Sequence, residues 1–249
     1  MLCLKFNIRI FILFLVSFSS AVYSQTDSLK SNNKTSFAPY ILPLTLITVG
    51  SSISGSEFEK DIQTDIRSSG GNDFKFGIDD YIVYAPMVEL YIFDWLGCKA
   101  KNNFFDRSKN IVLANLASVS IVRALKSLTS KTRPDGTDQL SFPSNHSNIA
   151  FTNATVLYHE YKDSNRFIAY SGFAFATTTG VFRMLNNKHW ISDVLTGAGI
   201  GILVGNLVYR FEPLKNWHPF GLGAEDNITL LPQFGNDSYG ICVIIDLIQ

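Results

Sequence analysis

Two stretches, residues 167–182 and 194–209, each run for 16 residues without a single charged side chain. A helix of that length falls short of the ~20 apolar residues that cross a bilayer comfortably. It is too apolar to lie on a wet surface, so it suits a helix buried among other helices. The second stretch carries Gly197, Gly199, Gly201 and Gly205. Glycines weaken a helix, but on one face they let a neighbouring backbone come very close. Helical periodicity sets these stretches within helices at about 165–184 and 189–211 and places further helices at about 81–96, 108–127 and 144–161. Phe58, Ile62 and Ile66, at i, i+4 and i+8, mark a short amphipathic helix, and residues 68–73 read as a loop. Residues 35–56 are also uncharged, but Pro39 and Pro43 interrupt them. The expected fold class is all-α, a bundle of about six core helices. The β-branched tail, with turn residues at 235–238, adds a short C-terminal hairpin.

The charge balance excludes several roles. Charged residues make up 17% of the chain, and the 21 basic side chains match the 21 acidic ones. So low a charge content argues against a disordered chain, and the absence of a basic stripe argues against nucleic acid as a partner. Lys5 and Arg9, the apolar run 10–18 and the small residues around 21–24 form a secretory-signal pattern. The expected organisation is a signal peptide at 1–24, a helical and loop region at 25–80, a core at 81–218 and a tail at 219–249. The expected location is the bacterial periplasm or cell envelope, peripheral or integral to the membrane. Cys98 and Cys242 remain beyond the signal, too few for a disulfide framework or a metal cluster.

Three clusters carry chemistry. The first is Lys126 and Arg133, followed by Pro134. Seven residues are two helical turns, so a continuous helix would aim both cations from one face and end at the proline. Such a pair clamps an anion, and a solvated helix end would look the same. The second is Pro143-Ser144-Asn145-His146, ahead of an apolar run. Ser144 there is an N-cap, and a helix N-terminus offers free N–H groups to phosphate. The third is Arg183, His189 and Asp193. A histidine and an aspartate four apart share a helical face, so the carboxylate can hold one ring nitrogen and leave the other free to attack.

In that order and spacing, Lys-x6-Arg-Pro, Pro-Ser-x-His and Arg-x5-His-x3-Asp, the sequence resembles the type 2 phosphatidic acid phosphatase (PAP2) superfamily. That superfamily also holds class A acid phosphatases and vanadium-dependent haloperoxidases. The motifs occupy 126–193 and leave the region 37–80 and the tail uncovered. Two positions depart from the usual pattern. Asn145 stands where glycine is usual but still supplies its backbone N–H, and Phe182 stands where serine usually precedes the arginine.

The resemblance implies a phosphatase acting on a phosphomonoester or on a lipid phosphate or pyrophosphate. His189 would be the nucleophile, forming a phosphohistidine, with Asp193 orienting it and His146 as acid and then base. Lys126, Arg133, Arg183, Ser144 and Asn145 would bind the phosphate. No metal or other cofactor is implied. A vanadium-dependent haloperoxidase and a non-catalytic phosphate-binding envelope protein are the alternatives. His159 and His218 lie outside the motifs and read as structural or exposed.

Overall fold

The computed structural model describes residues 37–71, 74–215 and 217, and the backbone of 227–234 and 239–246. The signal-peptide segment, His218 and the hairpin turn at 235–238 lie outside the described residues. The helices are α1 (Ala38–Ile53), α2 (Glu57–Gly70), α3 (Asp79–Ile82), α4 (Ala85–Trp95), α5 (Phe104–Thr129), α6 (Asn145–Tyr161), α7 (Arg166–Leu185) and α8 (Ile191–Phe211). Two antiparallel strands follow, β1 (Asn227–Phe234) and β2 (Tyr239–Asp246), with Asn227 opposite Asp246 and Phe234 opposite Tyr239. The all-α bundle is as expected, and the tail pairs as a two-stranded ribbon.

Helix α6 is the centre of the bundle, with α7 and α8 packed against it and α1 laid against α8. Its buried residues include Ala150, Ala154, Val156, Leu157 and Tyr161, each fully enclosed. Leu90 of α4, Ile111 and Val122 of α5, Ile168 of α7, and Ile200 and Val204 of α8 complete the main core.

The glycines of α8 do what their spacing suggested. A Cβ at Gly197 would sit 2.4 Å from the Ser144 carbonyl oxygen, and one at Gly201 2.5 Å from that of Asn148. Gly199 serves α1 in the same way, since its Cβ would lie 2.7 Å from the Pro43 carbonyl oxygen. This close approach sets the N-terminus of α6 directly against the start of α8. Ser144 N–H donates to the Asp193 carbonyl at 2.9 Å, which ties the two helix starts together.

Several expectations need correction. Pro39 and Pro43 do not interrupt α1: Pro39 lies in the first turn, where its missing N–H costs nothing, and Pro43 is accommodated inside the helix. Helix α2 continues through Ser68 to Gly70, and Gly71 takes φ +88° just beyond it. Ile62 and Ile66 are buried, but Phe58 is 55% exposed, so the apolar stripe of α2 covers two of its three expected residues. Helix α5 ends at Thr129, where Ser130 turns left-handed at φ +45°. Arg133 therefore reaches the site from a loop rather than from two turns further along α5.

Among the described residues, two helices, Phe104–Thr129 and Ile191–Phe211, are long and apolar enough to cross a membrane. Helix α8 outruns the uncharged stretch 194–209 within it, and α5 is a helix that those stretches did not single out. Their environments differ. The apolar window of α8 is 78% buried inside the bundle, whereas that of α5 is only 22% buried. Val112, Leu116, Ile121 and Leu128 of α5 stay exposed, as do Ile41 and Leu44 of α1 and Ile92 and Trp95 of α4. Helices α1 and α2 meet at a 97° bend and satisfy the same length and composition test as a broken pair.

Candidate active site

The site forms where the start of α6, the end of α7 and the start of α8 meet the loop between α5 and α6. Ser144 caps α6, accepting from Ser147 N–H at 3.4 Å and from the Ser147 hydroxyl at 3.1 Å. The N–H groups of the first turn then have no partner within the helix, which suits an anion. Asn145 and His146 occupy that turn.

His189 lies just before α8 and is 2% exposed. Its Nδ1 faces Asp193 Oδ2 at 3.4 Å, and its Nε2 lies 3.3 Å from an Arg133 NH group. A guanidinium can only donate, so Nε2 accepts and the ring proton sits on Nδ1 toward Asp193. That tautomer leaves the Nε2 lone pair facing a cation, the place where an anionic substrate would be drawn. The same Asp193 oxygen accepts from Trp190 N–H at 2.9 Å and from the Ser141 hydroxyl. Burial presses the His189 pKa down to about 4; the Asp193 hydrogen bond and charge oppose this, while Arg183 and Arg133 add to it. The ring is therefore neutral, as a nucleophile must be, above about pH 4.

Arg133 is braced at both ends of its guanidinium. Its Nε donates to Asp138 at 2.7 Å and an NH group donates to the Lys188 carbonyl at 3.2 Å. Lys126 donates to the carbonyls of Leu140 and, at 3.2 Å, Ser141, in the same loop. Arg183 is 8% exposed and pairs with Asp79 at 2.8 Å. Its Nε, and Oδ1 of Asn145, are buried without hydrogen-bond partners. Both are groups that a bound, partly protonated phosphate can satisfy.

The three motifs thus converge, and they bring residues that the motifs do not contain. Asp80 Oδ1 lies 3.0 Å from His146 Nε2 and 3.4 Å from an Arg183 NH group. Asp79 and Asp80 stand at the edge of the region that no motif covered, and their only sequence signal was two adjacent carboxylates. Phe182, in place of the usual serine, packs against Phe74 and Phe76 with ring centroids at 6.3 and 5.7 Å. It holds down the segment that leads to Asp79. His159 stacks on Tyr209 at 4.5 Å and meets Asn206 at 2.9 Å, a structural role as expected. Cys98 is a free, half-buried thiol.

His146 has a pKa below its ordinary value of 6.5, through burial first and the Arg183 charge second, with Asp80 acting against both. As a general acid it must carry a proton, so kcat/KM falls as pH rises through this depressed pKa. Removing the Asp80 charge lowers it further. Asp80→Asn is therefore expected to move the alkaline limb of kcat/KM to lower pH, with the loss growing as pH rises toward neutrality. An alkaline limb that stays in place would separate Asp80 from proton transfer.

The PAP2 superfamily model matches residues 109–217. The chain is 33% identical over 158 residues to the lipid A 1-phosphatase of Porphyromonas gingivalis, covering 63% of this chain. It spans about a third of the length of that curated relative, 36%. Among solved structures it is similar to the transmembrane PAP2-type phosphatidylglycerolphosphate phosphatase of Bacillus subtilis. That match has 20% identity and a TM-score of 0.52, over 74% of this chain and all of the other. Aquifex aeolicus LpxE is also similar, at 24% identity and a TM-score of 0.42, over 68% of this chain and 94% of the other. The Bacillus structure shows the PAP2 type of helical fold, and the PAP2 superfamily match at residues 109–217 covers all three motifs.

Proposed function

We propose that this chain is a phosphatase that removes a phosphate group from a phosphorylated lipid at a membrane surface, through a phosphohistidine on His189. The observation that carries the reading is the pairing around that ring. Nδ1 is held by a buried carboxylate, and Nε2 is unprotonated and accepts only from the Arg133 guanidinium, which can also bind the anion. In the first step Nε2 attacks phosphorus and the bond to the leaving oxygen breaks, while His146 gives that oxygen its proton. In the second step water attacks phosphorus, the P–N bond breaks and His146 takes the proton of the water. Lys126, Arg133, Arg183 and the N–H groups at the start of α6 hold the three remaining oxygens as their charge redistributes.

The lipid substrate is supported by the apolar outer faces of α1, α4 and α5, and by the names of two relatives, each a phosphatase of a phosphorylated lipid. The secretory-signal pattern supports a site facing the periplasm. A test is phosphate release by the full chain in detergent from an aryl phosphate, phosphatidate, a phosphorylated lipid A and a polyprenyl pyrophosphate. Release fastest from a lipid is expected. Release from none of them, with vanadate-dependent halide oxidation or with phosphate binding alone, would replace this reading by one of its two alternatives.

A further inference from the structure

Behind Asp193 lies a second charged group that the proposed chemistry does not use. Lys131 sits at a variable position inside the first motif. Its Nζ lies 2.8 and 3.0 Å from the two carboxylate oxygens of Glu59, 2.7 Å from the Ser192 hydroxyl and 3.0 Å from Asp193 Oδ1. The rings of Phe142 and Trp190 stand 5.6 Å from the same nitrogen. Glu59 comes from α2, outside the family match, and is 1% exposed. It also accepts from Gly55 N–H at 2.7 Å and from the Ser192 hydroxyl.

The two oxygens of Asp193 are thus divided. Oδ2 serves His189, Ser141 and Trp190, while Oδ1 serves Lys131 and Ser192. The cation fixes the rotamer that aims Oδ2 at the ring. Taken alone, it would also cancel the negative charge that His189 needs as it becomes an imidazolium. Glu59 restores that charge, because the Glu59–Lys131–Asp193 group carries one net negative charge while an isolated Lys131–Asp193 pair carries none.

We propose that Lys131 and Glu59 are positioning residues for the nucleophile: Lys131 locks Asp193, and Glu59 keeps the locked carboxylate electrostatically effective toward His189. This rests on the phosphohistidine reading above. The other charged groups around the His189–Asp193 pair are Lys126 from α5, Arg133 from the loop, His146 from α6 and Arg183 from α7.

The test is a charge cycle. Glu59→Gln keeps the shape and one side-chain oxygen, enough for Gly55 N–H or the Ser192 hydroxyl but not both, and leaves the group neutral. It is expected to lower kcat roughly tenfold with KM nearly constant, and to lower the titration midpoint of His189 by imidazole NMR. Adding Lys131→Met leaves Asp193 as the only charge and returns the group to one net negative charge. The double variant should return the midpoint toward the parent, while kcat stays low because Asp193 has lost its lock. Thermal melts monitor folding of both variants. Unchanged kcat and midpoint in folded Glu59→Gln, or a midpoint in the double variant no higher than in the single one, would overturn the proposal. The NMR midpoint needs no turnover, so an inactive parent would fail the phosphatase reading and leave the charge cycle still measurable.

Discussion

His189→Ala is expected to lose at least about 10⁴-fold in kcat on every substrate, the scale seen when a nucleophile is removed from an organised site. The ring is enclosed, carries its proton toward Asp193 and has only Nε2 available to substrate. No described neighbour can take its place. The Ser144 hydroxyl is fully buried and engaged as the cap of α6, and that of Ser141 is buried and donates to Asp193. Phosphate binding should survive the substitution, because Arg133, Arg183 and the start of α6 remain. Loss of turnover with retained binding, measured as phosphate release beside vanadate affinity, is the expected signature. Turnover within tenfold of the parent would remove His189 from the chemistry.

The second large effect belongs to His146. Its replacement by alanine is expected to cost about 10² to 10⁴ in kcat for lipid phosphates, whose leaving alkoxide needs a proton. Aryl phosphates leave as stable phenolates, so the same variant should lose far less in the first step with them. A plot of rate against leaving-group pKa should therefore steepen in His146→Ala. Equal losses across the series would mean that His146 binds phosphate rather than moving protons. Together the two histidines define an acid-shifted window. His189 limits activity below about pH 4, and His146, held below 6.5 by burial and Arg183, limits kcat/KM on the alkaline side. A bound phosphate dianion favours protonated His146, so the alkaline limb of kcat should lie above that of kcat/KM.

Much of this was legible in the residues. Long uncharged stretches with glycines on one face required buried helices in close contact, and Gly197 against the Ser144 carbonyl is that contact. The order and spacing of Lys126, Arg133, His146, Arg183, His189 and Asp193 carried the candidate site. Spacing along a chain fixes geometry only where the helix continues, however. Ser130 breaks α5, so the spacing of Lys126 and Arg133 describes a loop with its own hydrogen bonds to Asp138 and Lys188. Asp80 and Glu59 were hidden for a different reason. They reach the site through α2 and α3, Asp80 from 66 residues before His146 and Glu59 from 133 residues before Ser192. Nothing in local periodicity reports such contacts. The exposure of α5 was hidden too, because its apolar residues read the same whether they face a core or lipid.

The central claim is a covalent phosphoryl group on His189, and trapping it is the most direct measurement. The His146→Ala variant is suited to this, since an aryl phosphate bypasses the acid in the first step while the water of the second step still lacks its base. Radiolabelled aryl phosphate, quenched in alkali during turnover and followed by peptide mapping, should give a base-stable, acid-labile label on the peptide that contains His189. That label should be absent from His189→Ala and should decay as free phosphate appears. A protein that turns over unlabelled, or that carries its label on another residue, would contradict the account.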